Sequence, residues 1–192
     1  MSYITEAINK WGKCRTGAIT MYGAGVGVYG NSGYAYTGST PSKLKKRIEE
    51  ANSSNAEITD INITENGNYV IILGGSGYWT LGYPDAFLKK LEQYRTGDLR
   101  DDNILSACFN DRGEWVVITD KHYSYSNETI KNFILKAEEL YEEVYYAYIT
   151  NYGMIACCKN GVYYKNIPSN LAEALKKLTF LSLIHISEPT RH

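Results

Sequence analysis

Residues 61–91 read INITENGNYVIILGGSGYWTLGYPDAFLKKL, and this stretch contains one structural unit from its first strand to its helix. In Ile61–Ile63 the apolar residues alternate with a polar one, as in a half-buried strand. The turn residues Glu65–Gly67 lead into the apolar run Tyr69–Leu73, which is typical of a central strand. A second glycine turn and the aromatic pair Tyr78–Trp79 follow, so the stretch predicts a three-stranded antiparallel meander.

An amphipathic helix is predicted directly after the meander. Pro84 stands where a first-turn proline is common, and Gly97 stands where a helix commonly ends. Between them the apolar residues recur at helical spacing: Phe87, Leu88, Leu91 and Tyr94. Such a stripe favours a helix that packs one face against a sheet.

The same order of elements recurs along the chain at intervals of roughly 44 residues. We therefore predict an α+β fold made of tandem repeats, each a three-stranded antiparallel meander plus one helix. The expected units cover about 11–57, 58–103, 104–143 and 144–180 within a single repeat domain, residues 1–180. The alternative is a β-propeller-like partial ring with helical insertions. Stacked repeats of either kind would share a continuous core.

We expect the end of the chain to have a different origin. Leu181–His192 reads LSLIHISEPTRH, and its first eleven residues resemble a translated sequencing adapter. We expect this segment to be a non-native tail. We also expect the natural protein to continue with further repeats, which makes the chain a truncated fragment.

Composition narrows the class of protein. The chain has 192 residues with 20 basic and 21 acidic side chains, so its net charge of −1 favours neither nucleic acid nor an anionic membrane as partner. Met1–Lys10 lacks the features of a signal peptide, and the apolar runs are too short to span a bilayer. We expect a cytoplasmic protein whose four cysteines are free thiols. The oligomeric state is left open.

Two resemblances support the architecture. Gly113–Val117, Ser76–Trp79 and Asn166–Pro168 resemble an uncharacterised microbial tandem repeat of the type GxWVV, NGYW and GIP. Phe109–Asp120 is similar to the strand-turn-strand portion of a WD-type β-propeller blade. The chain departs from that pattern because no Trp-Asp pair ends a strand and a predicted helix replaces the fourth strand.

Residues with reactive side chains do not form a recognisable site. We interpret His122 as a solvated turn residue, Asp101–Asp102 as part of a solvated loop, and Cys108 with Cys157–Cys158 as small buried strand residues. The glycine-rich segment Gly74–Gly77 lacks the Gly-Lys-Ser/Thr ending of a phosphate loop. We therefore expect no catalytic residue, no metal site and no cofactor.

One feature suggests binding, namely the aromatic third strand of each unit. If successive sheets lie side by side, one ring per unit would form an aromatic row suited to a sugar or an extended peptide. Alternatively, these rings pack against the helices. The candidate row comprises Tyr34, Tyr78, Trp79, Tyr123, Tyr125 and Tyr163. The sequence thus favours a non-catalytic repeat module for protein or glycan binding, and the alternative is an accessory domain of a truncated larger enzyme.

Overall fold

The computed structural model of the chain describes residues 14–173 and 175. The expectations for Met1–Lys10 and Leu181–His192 fall outside these residues. The described part contains twelve strands and three helices, with further helical residues at 169–173. In chain order the elements are β1 (Thr16–Ile19), β2 (Gly25–Tyr29), β3 (Gly33–Tyr36), α1 (Ser42–Ser53), β4 (Ile58–Ile63), β5 (Tyr69–Leu73), β6 (Gly77–Leu81), α2 (Asp85–Thr96), β7 (Ile104–Phe109), β8 (Trp115–Thr119), β9 (Tyr123–Tyr125), α3 (Glu128–Tyr141), β10 (Val144–Ile149), β11 (Met154–Cys158) and β12 (Gly161–Lys165).

The strands form four separate antiparallel sheets, each made of three consecutive strands. In the second sheet Ile71 of β5 lies opposite Ile61 of β4 on one side and Trp79 of β6 on the other. The predicted fold class, tandem meanders each followed by a helix, is confirmed. Strands β4, β7 and β10 begin at residues 58, 104 and 144.

Local sequence explains where each strand turns. Gly67 and Gly113 end the turns between the first and second strands of their sheets, and their φ angles are 78° and 80°. Positive φ is easily adopted only by glycine. Pro84 was predicted to lie in the first turn of α2, but it is the cap residue directly before that helix. Pro41 holds the same position before α1.

Each helix fills the space between its own sheet and the next one. The buried residues of α1, Leu44, Ile48 and Ala51, share a core cluster with Val26 and Val28 of β2 and with residues of the following sheet. The stripe predicted for α2 is buried at Phe87, Leu91 and Tyr94, whereas Leu88 is half-buried. In the fourth unit, helical spacing predicts a further stripe at Leu171, Ala174, Leu175 and Leu178. Leu171 is 39% exposed, and Ala174 and Leu178 lie outside the described residues.

The sheets touch one another directly along their first strands. Strand β1 packs on β4, β4 on β7, and β7 on β10. Each pair of neighbouring sheets therefore encloses a wedge, closed at the first strands and filled by a helix towards the third strands. Among the described helices none is long and apolar enough to cross a membrane.

A fully buried carboxylate joins three of the first strands. Asp60 of β4 accepts hydrogen bonds from Thr16 Oγ1 of β1 at 3.0 Å, from the backbone N–H of Ala107 of β7 at 3.0 Å and from Asn62 Nδ2 at 3.1 Å. Burial raises the pKa of Asp60 to about 6, because the lost hydration outweighs these donors. The Asp60 side chain therefore connects the sheets, but burial disfavours its ionised form.

Replacing Asp60 with asparagine should remove a specific pH dependence of folding. The folded-state pKa of Asp60 lies above its unfolded value of 3.8, so its contribution to stability is greatest at low pH and is lost as the pH rises through about 6. The free energy of unfolding of the native chain minus that of Asp60→Asn should fall by about 2 kcal/mol between about pH 4 and pH 7. Denaturant titration of both proteins measures it, and a difference that stays constant with pH contradicts the assignment.

Candidate functional site

The predicted aromatic residues all lie on third strands, and all are half-buried. Tyr34 is on β3, Tyr78 and Trp79 are on β6, Tyr123 and Tyr125 are on β9, and Tyr163 is on β12. Their rings take part in the core clusters that surround the helices.

These rings lie on two different faces. Tyr78 and Tyr123 pack against the helix that follows their own sheet, α2 and α3 respectively. Trp79 packs with the cluster around the preceding helix α1, and Tyr163 stacks on Phe133 of the preceding helix α3. A helix thus lies between the rings of successive units, so the structure distributes the predicted row over separate layers.

Three of the third-strand tyrosines hold the following helix through a carboxylate. Tyr36 donates its hydroxyl hydrogen bond to Glu49 at 2.9 Å, Tyr123 donates to Glu138 at 3.0 Å, and Tyr78 donates to Glu92. Burial, reinforced by the neighbouring glutamate, raises the pKa of Tyr78 and of Tyr123 to about 12. The recurrence in three units indicates an architectural role for these hydroxyls.

The position occupied by Trp79 distinguishes the second sheet from the others. In the third sheet the corresponding residue is Ser124, which shares a 2.7 Å hydrogen bond with the hydroxyl of Tyr94. In the fourth sheet it is Tyr163, whose ring lies 5.0 Å from that of Phe133. In the second sheet a charged group covers the ring, since the guanidinium of Arg47 lies 5.2 Å from the centre of Trp79.

A groove with a volume of about 500 Å³ opens at this position, and we call it the β6 groove. It runs along β6 between the first turns of α1 and the segment that leads into α2. Its lining comprises Lys43, Lys46, Arg47, Glu50, Tyr69, Tyr78, Trp79, Thr80, Leu81, Tyr83 and Leu88. Two of the predicted site residues, Tyr78 and Trp79, therefore line one concave surface together with a cationic helix face.

The charge of the β6 groove is positive and incompletely balanced. Arg47 forms an ion pair with Glu50 at 2.7 Å. The amines of Lys43 and Lys46 have no carboxylate within 4 Å among residues 14–173 and 175, and both side chains are exposed. Helix α2 has Ala86 at the position of Lys43 when the two helices are aligned on Leu44 and Phe87.

The basic face of α1 was not among the features predicted from the sequence. The signal was present in the run KLKKR at residues 43–47, where Leu44 is the buried member. Helical periodicity places the other side chains of this run away from the core. What the sequence could not show is that this face lies beside β6, a strand of the next unit.

A second cluster of polar groups surrounds His122. Its Nδ1 lies 2.6 Å from Oδ2 of Asp102, and Lys121 lies 3.5 Å from the other carboxylate oxygen. The interpretation of Asp101–Asp102 as a solvated loop is wrong for Asp102, which is 5% exposed because it folds under this turn. Burial raises the pKa of Asp102, but the hydrogen bond and charge of His122 and the charge of Lys121 together hold it below its ordinary value. His122 itself is exposed, as expected.

The thiols lie in environments that disfavour the reactive anion. Cys108 and Cys158 are buried in the same apolar cluster, and burial raises the pKa of both thiols. Cys157 is half-buried, and burial raises its pKa to about 11. In the part of the chain that the structure describes, no three His, Cys, Asp or Glu side chains come together in a way that could hold a metal ion.

Comparison with known proteins adds no assignment. No protein-family model matches the chain, and no curated protein is similar enough to count as a match. The geometry of the β6 groove therefore carries the functional argument.

Replacing Tyr123 with phenylalanine should destabilise the fold, whereas the same change at Tyr125 should not. The hydroxyl of Tyr123 donates to Glu138 and also accepts from the backbone N–H of Val144 at 3.2 Å, so its removal leaves a half-buried donor without a partner. We expect a loss of about 1–3 kcal/mol in the free energy of unfolding for Tyr123→Phe. Tyr125→Phe, on the same strand, should change it by less than about 0.5 kcal/mol. Equal effects of the two substitutions would argue against the anchoring role.

Proposed function

We propose that this chain is a non-catalytic repeat module that binds an anionic partner in the β6 groove. The observation that carries the proposal is a groove lined by the amines of Lys43 and Lys46, which have no carboxylate partner among residues 14–173 and 175, and by two aromatic residues of β6, Trp79 on the face of α1 and Tyr78 on the opposite face. Rigid aromatic rings bury area at low entropic cost, and cations beside them select negative charge.

The chemistry of the groove suits binding better than catalysis. Its ionisable side chains are lysine, arginine and tyrosine, together with Glu50, which is held by Arg47. General acid–base catalysis works best with a group that titrates near the operating pH, such as a histidine or a perturbed carboxyl. The exposed His122 with its Asp102 partner is the nearest approach to such a pair, and it belongs to the turn between β8 and β9 rather than to the groove.

A protein partner is favoured over a glycan. Stacking on a sugar needs an open ring face. One face of Trp79 is already covered by Arg47, and Arg95 lies 5.4 Å from the centre of the Tyr78 ring. What remains accessible is positive charge beside the edges of aromatic rings, which suits acidic side chains with apolar neighbours.

Polyglutamate provides a direct probe of the groove. We expect titration with polyglutamate at low salt to change the fluorescence of Trp79, followed in a chain in which Trp11 and Trp115 are replaced by phenylalanine. In that background Lys43→Ala with Lys46→Ala should weaken binding about tenfold, because two ion pairs worth up to about 1 kcal/mol each are lost.

The matched control is Lys89→Ala with Lys90→Ala, which removes two lysines from the neighbouring helix α2. This variant loses the same net charge, so it reports any effect of charge alone. Equal weakening in both variants would show that polyglutamate senses only the overall charge, and the proposal for the β6 groove would then fail.

A further inference from the structure

Strand β6 is the outer strand of its sheet. The second sheet has the order β4-β5-β6, so within the described residues β6 pairs on one side alone. A strand of this kind presents unpaired N–H and C=O groups along its free edge. These groups are a template for one more strand.

The register shows which residues of β6 face outwards. In the first sheet the backbone N–H of Thr37 donates to the carbonyl of Gly25, and in the third sheet the backbone N–H of Ser126 donates to the carbonyl of Trp115. In the second sheet Leu81 lies opposite Tyr69, the position that Thr37 and Ser126 hold in the other two sheets. The N–H and C=O groups of Leu81 therefore point towards β5. Because hydrogen-bonding direction alternates along an antiparallel strand, the N–H and C=O groups of Tyr78 and Thr80 point away from β5.

The β6 groove follows this free edge. Four consecutive residues of β6, Tyr78–Leu81, form its base. Lys43 and Lys46 of α1 stand on one side, and Tyr83 and Leu88 stand on the other. The groove is therefore bounded by a helix on one face of the sheet and by apolar side chains on the other, with backbone hydrogen-bonding groups between them.

We propose that an extended acidic segment of a protein partner adds to β6 as a fourth strand. This inference rests on the proposed function and names the occupant of the same groove. Main-chain hydrogen bonds to Tyr78 and Thr80 give the affinity, and the flanking side chains give the specificity.

The two walls specify the pattern of the segment. Alternate side chains of an added strand point to opposite faces of the sheet. Those on the face of Trp79 would meet the amines of Lys43 and Lys46, which have no carboxylate partner in the described part of the chain, and those on the face of Tyr78 would meet Leu88 and Tyr83. The segment therefore alternates acidic residues with apolar or β-branched ones.

A synthetic peptide of about six residues that alternates glutamate with valine is the probe. Its affinity is measured by calorimetric titration against the full chain and compared with that of the same peptide methylated on alternate backbone nitrogens. Methylation keeps the charge and the side chains but removes the main-chain donors. We expect the unmethylated peptide to bind. The peptide methylated on the nitrogens that would face β6 should bind about tenfold more weakly. Equal binding of both peptides overturns strand addition while leaving the proposed anion-binding function intact.

The matching substitution in the chain is Thr80→Pro, which deletes one outward N–H. Proline is tolerated on an edge strand where the N–H faces solvent. Thr80→Val is the control, because both changes remove the 2.9 Å hydrogen bond from Thr80 Oγ1 to the carbonyl of Tyr69. We expect Thr80→Pro to weaken peptide binding about tenfold relative to Thr80→Val, with both variants shown to be folded by circular dichroism.

Other occupants of the edge give different results. If a second copy of the chain pairs with β6, the protein associates in a concentration-dependent manner and the peptide dissociates these dimers; that result replaces the proposed partner. If sulfated dextran binds the groove and the alternating peptide does not, the acidic peptide is ruled out, although anion binding stands. Failure of every anionic probe, polyglutamate included, overturns the inference and the proposed function together.

Discussion

The direct packing of the first strands is the constraint on which the rest of the molecule depends. Strands β1, β4, β7 and β10 lie against one another in succession, and Asp60 ties three of them together. Sheets that meet along one strand and hold a helix between their outer parts form wedges. This arrangement places every third strand at an outer edge, and it places each helix beside the third strand of the following sheet.

Charge is used in two opposite ways in this architecture. Asp60 is a carboxylate buried where the first strands meet, and burial disfavours its ionised form. Hydrogen bonds from Thr16, Asn62 and Ala107 compensate in part. On the outside of α1, Lys43 and Lys46 carry charge that the described residues leave unbalanced. The first arrangement contributes to the fold, and the second is available to a partner.

Much of the fold follows from local sequence. The glycine turns at Gly67 and Gly113, the apolar strand Tyr69–Leu73 and the helical stripe of α2 are short-range patterns, and the structure has each of them. These patterns fix the elements of a unit because turn geometry and periodicity are properties of neighbouring residues.

The site was less predictable because it depends on contacts between units. Tyr78 and Trp79 were identified from their recurrence, but a continuous aromatic row would require open space between the third strands of neighbouring sheets. The helices occupy that space. The burial of Asp102 under the turn of His122 and the approach of Arg47 to Trp79 involve residues about 20 and 32 positions apart, beyond the reach of periodicity.

The proposal of strand addition requires that the outer edge of β6 is free and that it pairs with an acidic strand. Hydrogen exchange at the individual amides of β6 tests it most directly, since the exchange rate of each amide reports its own hydrogen bond. The account predicts fast exchange at Tyr78 and Thr80 in the free chain and slow exchange at Trp79. Both fast amides should become protected when the alternating glutamate–valine peptide is bound. Protection of Tyr78 and Thr80 in the free chain, or no change on saturation with the peptide, would contradict it.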